Sequence, residues 1–260
     1  MPELLEVEYY RRAAERAVGR RIAGVELPDA WFARALPSLD GLGALLVGDR
    51  VAATDRHGKL LLLECGRGPV LGLRFGMTGR LVVDGHAAIE KLEYASGRDD
   101  PAWERFALTF DDGGRLVVTD PRRLGSVSLD PDRSDLGPDA ATVTVTELRR
   151  ALAGTTTSLK ARLLDQSRLA GLGNLLVDEI LWRAGLGPLR PAGGLDTAEV
   201  RRLHRHLQAT ITELDGRGGS HTGDLFPARR PGGRCPRCDG SLRRDRAGGR
   251  TTVWCEHDQR

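Results

Sequence analysis

Leu4, Leu5, Val7, Ala14 and Val18 lie among charged residues at rough helical spacing, which predicts an amphipathic helix that starts at Pro2 and ends before Gly19. The period then changes. Positions 22–27, 44–54, 59–65, 70–75, 80–83, 106–110 and 115–118 read as strands, punctuated by glycine and aspartate turns. Asp111-Asp112-Gly113-Gly114 is a hairpin turn between two of them. The pattern predicts a two-sheet β-sandwich with the N-terminal helix packed on it.

An Asp-, Pro- and Gly-rich stretch over 129–142 reads as a linker, and beyond it the period is helical at 146–152, 159–164, 174–183 and 196–214. Asp196 and Glu199 form a capping box at the start of the last helix. Positions 215–234, rich in Gly, Arg and Pro, read as a basic arm before a short tail. The expected fold class is therefore α+β and multidomain. Its divisions fall at 1–129, a linker at 130–142, a helical domain at 143–216, and the arm and tail at 217–260.

Composition narrows the class. A chain of 260 residues with 40% hydrophobic content has the make-up of a soluble globular protein. No apolar run approaches membrane length, and the start lacks a signal peptide's basic and apolar regions, so a cytoplasmic location is expected. The formal charge of +3 says little about partners by itself. Lysine occurs only at Lys59, Lys91 and Lys160, so 36 of the 39 basic residues are arginine. A GC-rich genome would give the same bias, yet it makes each lysine conspicuous. Cys65 sits in an apolar strand pattern and reads as packing. Cys235, Cys238 and Cys255 cluster near the end, which in a cytosolic protein favours a metal over disulfides.

Several stretches carry candidate chemistry. If Met1 is removed, Pro2 presents a secondary α-amine with a pKa of roughly 7.7–8.0, against roughly 10.4 for lysine, so more of it is nucleophilic near neutrality. Condensation with an aldehyde gives a cationic iminium, suited to ring opening and elimination at a sugar C1. Glu3 could move protons beside it, and Glu6 shares its helical face. An ordinary solvated chain start is the alternative. Lys59 opens an apolar strand and could project toward a phosphate, or simply be solvated. Asp120-Pro121-Arg122-Arg123-Leu124-Gly125 puts two guanidiniums on a tight turn. Such a pair suits phosphates, or the hole left by an extruded base. Met77, between glycines, could wedge between bases or belong to the core. At Gly171-Leu172-Gly173-Asn174 the glycines permit close backbone approach, and a helix beginning at Asn174 offers N–H groups to a phosphate. Cys235-Pro236-Arg237-Cys238 has zinc-knuckle spacing, and Cys255 follows after 16 residues, a span that fits a β-hairpin. His257 is the best fourth ligand on chemistry, with Asp258 the alternative. Arg243, Arg244, Arg246 and Arg250 stud that hairpin.

Taken together, these motifs resemble the formamidopyrimidine-DNA glycosylase and endonuclease VIII family over essentially the whole chain. Pro2, Glu3, Leu4, Glu6, Val7 and Glu8 match the family's opening motif, and Lys59 stands at its β-domain lysine. Residues 166–174, continuing to Ala184-Gly185, resemble its helix–two-turn–helix, and 250–255 its zinc-finger hairpin. The resemblance implies an N-terminal β-sandwich with a leading helix, a helical domain and a zinc finger, with damaged double-stranded DNA as partner to a monomeric enzyme. It implies a bifunctional DNA glycosylase and abasic-site lyase that excises oxidised bases, of formamidopyrimidine or 8-oxoguanine type or oxidised pyrimidines, and nicks by β- and δ-elimination, with zinc as a structural metal and no redox or nucleotide cofactor. Pro2 would attack C1′, Glu3 act as general acid/base, Glu6 support it, and Lys59 serve the phosphate side. Asn174 and Arg250 would grip phosphates, Lys160 contact DNA near the lesion, and Met77 and Arg123 fill the vacated space. Three positions depart from the family pattern. Leu5 replaces its second proline, Leu124 a phenylalanine, and Asp258 stands in the register of the last cysteine. A non-catalytic or specialised damaged-DNA-binding member of the same fold is the alternative.

Overall fold

Gly19, at φ 84°, ends the first apolar stripe, and before it the chain forms α1 (Leu4–Ala14) and a 3-10 turn over Glu15–Ala17. The computed structural model describes residues 2–33, 36, 39–89, 92 and 100–260, without the side chains of residues 39 and 40; Met1 and Lys91 lie outside the described residues. The chain divides into two compact units. One comprises Pro2 and Glu6–Arg133; the other comprises Glu3–Leu5 and Ser134–Arg260.

The first unit contains β1 (Ile22–Glu26), α2 (Leu39–Leu46), β2 (Val51–His57), β3 (Leu60–Cys65), β4 (Val70–Arg74) and β5 (Arg80–Val83), then β6 (His86–Ala87), β7 (Glu104–Phe110), β8 (Arg115–Thr119) and β9 (Ser126–Leu129). They form a five-stranded sheet in the order β1-β7-β8-β5-β6 and a four-stranded sheet in the order β2-β3-β4-β9. Period-2 alternation sends Leu61, Leu63, Leu71 and Leu73 from one sheet, and Phe106, Leu108, Leu116 and Val118 from the other, into one core. Val7, Tyr10 and Ala14 of α1 bury into the same core, with Tyr10 tilted on Phe75 at a centroid distance of 4.5 Å. Cys65 packs against it from the end of β3, as expected.

The strand expected over 44–54 is instead α2, a turn and β2. Leu42 and Leu46 are four residues apart and both fully buried, a helical spacing, and Gly48 at φ 85° breaks the helix before Val51.

The second unit holds α3 (Val145–Leu152), α4 (Leu159–Leu164), α5 (Asn174–Ala184) and α6 (Thr197–Arg217), followed by the hairpin β10 (Arg243–Ala247) and β11 (Arg250–Trp254). Asp196 and Glu199 form the expected capping box on α6. Leu159, Leu163, Leu176, Ile180, Leu203 and Leu207 make the helical core, and Leu4 and Leu5 pack into it. Gly248 and Gly249, at φ 56° and 72°, close the hairpin with both turn residues left-handed, a geometry that glycine meets at no steric cost. The architecture is the α+β arrangement that the hydrophobic pattern predicts. No described helix is long and apolar enough to cross a membrane.

Candidate active site

Glu3 is 1% exposed, and its carboxylate lies on the start of α5. It accepts hydrogen bonds from Gly173 N at 3.0 Å, Leu175 N at 2.8 Å and Leu176 N at 3.1 Å. Donors at a helix start are otherwise unpaired, and the helix dipole adds positive potential there, so this carboxylate is fixed in position. The expectation that this terminus offers its N–H groups to a phosphate is thus corrected, because Glu3 occupies three of them. Gly173 makes the approach possible: a Cβ there would lie 2.2 Å from Glu3 Cδ. Gln166 shapes the turn before it, donating to Leu164 O and Leu172 O and accepting from Gly171 N at 3.0 Å. Gly171 O in turn accepts from Leu4 N at 3.0 Å. Asn174 opens α5, and its Oδ1 is buried without a hydrogen-bond partner. Turning that amide would put its NH₂ group at the same place, so the helix start keeps one side-chain polar group uncommitted.

In the first unit Pro2 is buried, Glu6 is 3% exposed on α1, and Lys59 is half-buried. The Pro2 nitrogen is an amide while Met1 is attached and a secondary amine once it is removed. Lys59 does not open a strand as expected. It occupies the two-residue turn between β2 and β3, after Gly58 at φ 58°.

The arginine turn is built around Asp120, which is fully buried. Its carboxylate accepts from Thr78 Oγ1 at 2.6 Å and from the backbone nitrogens of Arg122, Leu124 and Gly125 at 3.2, 2.8 and 2.8 Å. Gly76 abuts the same turn, since a Cβ there would meet Leu124 C at 2.6 Å. The half-buried Met77 and the Arg122–Leu124 turn therefore share one place at the end of the sandwich. Leu124 is 47% exposed, although it is a large apolar side chain. Arg122 is exposed and has no side-chain partner among the described residues. The expectation that Arg123 fills a vacated space is not met, because its guanidinium holds both oxygens of Asp29 at 2.6 and 2.7 Å. Arg122 is the free cation of the pair.

Lys160 departs further from expectation. It is fully buried, donating to Asp178 Oδ1 at 2.6 Å and to Thr251 O at 2.8 Å. Burial pushes its pKa down, and the Asp178 carboxylate works against that shift. Asp178 Oδ2 also takes Arg229 and Val253 N. Lys160 is thus a strut between α4, α5 and β11 and has no surface to offer DNA. Arg250 and Arg246 are exposed on the hairpin without a side-chain partner among the described residues, whereas Arg243 is paired with Glu256 at 2.9 Å. Sequence reasoning missed Asp178, Asp120 and Asp29. Asp178 had a signal, as one of two adjacent acids, with Glu179, on a helix whose other buried residues are apolar; Asp120 had one in its Asp-Pro turn; Asp29 had none nearby.

Cys235, Cys238, Cys255 and Asp258 gather at the base of the hairpin, with their ligand atoms all within 4.8 Å of one another. Cys238 Sγ lies 3.5 Å from Cys255 Sγ, and Cys235 Sγ lies 3.0 Å from Asp258 Oδ2. A tetrahedral metal with bonds of roughly 2.0–2.3 Å sets its ligands roughly 3.3–3.8 Å apart, so the four residues can hold a metal ion. The expected His257 is not among them. It is exposed and turned beside Asp258, because Gln259 bonds back to Cys255 and brings Asp258 inward. Trp182 Nε1 donates to Cys235 Sγ at 3.4 Å, the kind of outer contact that orients a sulfur ligand.

A helix-led β-sandwich, a helix–turn–helix pair and a hairpin rooted in a metal-ligand cluster define a protein of the helix–two-turn–helix class with a C-terminal finger. Residues 1–127 match the model of the formamidopyrimidine-DNA glycosylase N-terminal domain, and residues 136–223 match that of its H2TH domain. The chain is 36% identical over 285 residues to the formamidopyrimidine-DNA glycosylase of Heliobacterium modesticaldum, and 35% identical over 305 residues to that of Methylocella silvestris, with 100% of each chain covered in both cases. Among solved structures, the Lactococcus lactis enzyme bound to Fapy-dG-containing DNA aligns at TM-score 0.82 and 26% identity, and the same enzyme on AP-site DNA at 0.83 and 26%, each covering 99% of both chains. The chain belongs to the formamidopyrimidine-DNA glycosylase family.

Proposed function

We propose that this protein excises oxidised bases of the formamidopyrimidine or 8-oxoguanine type from double-stranded DNA and then nicks the abasic site. The observation that carries the reading is Glu3: a buried carboxylate pinned on a helix start, one residue from a proline able to become a secondary amine. It is supported by full-length similarity to enzymes of that name and by the Lactococcus complexes.

With Met1 removed, the Pro2 nitrogen attacks C1′, the bond from C1′ to the damaged base breaks with its electron pair going to the base, and the base takes up a proton from water. Glu3 accepts the proton released by the attacking amine and passes it to the ring oxygen as the sugar opens, leaving an iminium. Loss of a C2′ proton expels the 3′ phosphate, loss of a C4′ proton expels the 5′ phosphate, and water frees Pro2. Glu6 supports the anionic side of this site, and Lys59 neutralises a departing phosphate. Asn174 donates to a phosphate beside the flipped nucleotide. Met77, Arg122 and Leu124 enter the space that nucleotide leaves, with a leucine where the family has a phenylalanine. Arg246 and Arg250 contact phosphates from the hairpin. Cys235, Cys238, Cys255 and Asp258 would hold a zinc ion, whose part would be to fix the hairpin. The protein works as a monomer in the cytoplasm, at the chromosome.

Borohydride trapping tests this. Protein verified by mass to begin at Pro2 is mixed with abasic-site DNA and reduced. A covalent adduct is expected, and it should vanish in Pro2→Gly. Correctly processed protein that binds abasic DNA but gives no adduct would replace this reading with a non-catalytic binder.

A further inference from the structure

The turn that presents Arg122 and Leu124 is fastened at two points. One is Asp120, inside the turn. The other is Asp29, 94 residues before Arg123 and 7% exposed. Its oxygens take Arg123 Nε at 2.6 Å and the second guanidinium nitrogen at 2.7 Å. Oδ1 also accepts from Trp31 N at 3.0 Å, and Arg105 Nε stands 3.6 Å from Oδ2 while bonding Asp120 O at 2.8 Å. The segment bearing Asp29 is itself rooted. Phe32 is fully buried, accepts from Val127 N at 3.1 Å through its backbone oxygen, and has its ring against Gly125, where a Cβ would come within 2.8 Å.

Arg123 has φ 56°, a left-handed conformation that ordinary residues hold only when their surroundings compel it. That conformation reverses the chain between two outward-facing side chains, Arg122 and Leu124. Asp29 takes Nε and one terminal nitrogen of the Arg123 guanidinium, which compensates its charge and fixes its direction, whereas Arg122 has no such partner among the described residues. Arg123 therefore acts as a strut.

We propose that Asp29 is a positioning residue for discrimination of the base opposite the lesion: by clamping Arg123 it sets the angle at which Arg122 and Leu124 leave the sandwich. The inference rests on the glycosylase reading above. Because the two outward side chains would fill the gap facing the unpaired base, a loosened clamp lets them accommodate the wrong base as readily as the right one.

The test is a double-mutant cycle on the full chain with Asp29→Ala, Arg123→Ala and their combination, supplemented by Asp29→Asn and Arg123→Lys. For each, kcat/KM is measured for 8-oxoguanine excision opposite dC and opposite dA, with abasic-site nicking and thermal melting alongside. Each single alanine variant should shrink the dC:dA ratio about five- to tenfold, and the double variant no further than either single, because both remove one contact. Arg123→Lys, which keeps the charge but not the fork, should behave like Arg123→Ala. If Asp29→Ala does not fold, Asp29→Asn and Arg123→Lys carry the comparison. Single effects that multiply in the double variant would overturn the proposal. So would uniformly weaker binding of Arg123→Ala to every duplex with a salt slope lower by about one, the signature of a phosphate contact. Wild-type protein that neither excises nor nicks would sink the glycosylase reading; an active wild type with an unchanged ratio in every variant would sink the clamp alone.

Discussion

Gly173→Ala separates the two roles that Glu3 can play. The backbone at Gly173, φ −124° and ψ −168°, is extended and open to alanine, so any effect is steric. The new Cβ would stand 2.2 Å from Glu3 Cδ and 2.5 Å from Oε1, which forces the carboxylate back by about 1.3 Å or more to reach ordinary contact distance. Hydrogen bonds to a charged group contribute roughly 1.5–3 kcal/mol each, and overpacking costs roughly 1–3 kcal/mol, but a shifted carboxylate keeps part of its contacts. A net loss of about 2–3 kcal/mol is expected, which for a chain of this size lowers Tm by about 5–10 °C. Catalysis should suffer more. Displacing a proton-transfer group by about 1 Å can slow a reaction on the order of 100-fold. Single-turnover nicking of an abasic duplex below the variant's Tm, with DNA affinity measured in parallel, reads both effects. Affinity within a few-fold of wild type and nicking slowed about 100-fold are expected. A variant with the lowered Tm but wild-type nicking would refute the reasoning and leave Glu3 as a helix cap.

Asp258→Ala should lower bound zinc well below one equivalent by elemental analysis and Asp258→Cys should restore it, while His257→Ala should change nothing; the opposite pattern would return the fourth position to His257. Lys160→Met leaves Asp178 with less compensation in a buried network, so a loss of about 3–5 kcal/mol is expected, read by melting and by proteolysis of the hairpin. A stable variant with weakened DNA binding would instead mean that Lys160 reaches DNA. Arg246→Ala and Arg250→Ala should each lower the slope of log affinity against log salt by about one, and Arg243→Ala by less because Glu256 already holds it. Equal slopes for all three would remove the distinction between paired and unpaired arginines.

Local order was readable from the sequence where one short segment decides it. The capping box of Asp196 and Glu199, the helix at 159–164 and the strand at 80–83 depend on neighbours in the chain. The stretch 44–54 misled because an apolar run bounded by glycines suits a strand as well as a helix, and the burial of Leu42 and Leu46 decides only in three dimensions. Charged side chains were harder still. Lys160 looked conspicuous as one of three lysines, yet its partner Asp178 lies 18 residues on and Thr251 91 residues on. Nothing in either Arg122 or Arg123 says which is clamped, since Asp29 is 94 residues away. His257 led on ligand chemistry, but the bond of Gln259 to Cys255 selects Asp258.

Several carboxylates serve the exposed cations from inside the fold. Glu3, Asp29, Asp120 and Asp178 are all buried, and each carboxylate is saturated by backbone N–H groups or by a cation. They hold in place the segments from which cations project. Arg122 stands beyond Asp120, and Arg246 and Arg250 stand on a hairpin tied down at Val253 by Asp178. An exposed cation on a fixed backbone loses less conformational entropy when it meets a phosphate than one on a loose loop. The acidic residues therefore contribute to polyanion binding by ordering the cations beforehand, and replacing one of them should weaken binding even though it raises the net positive charge.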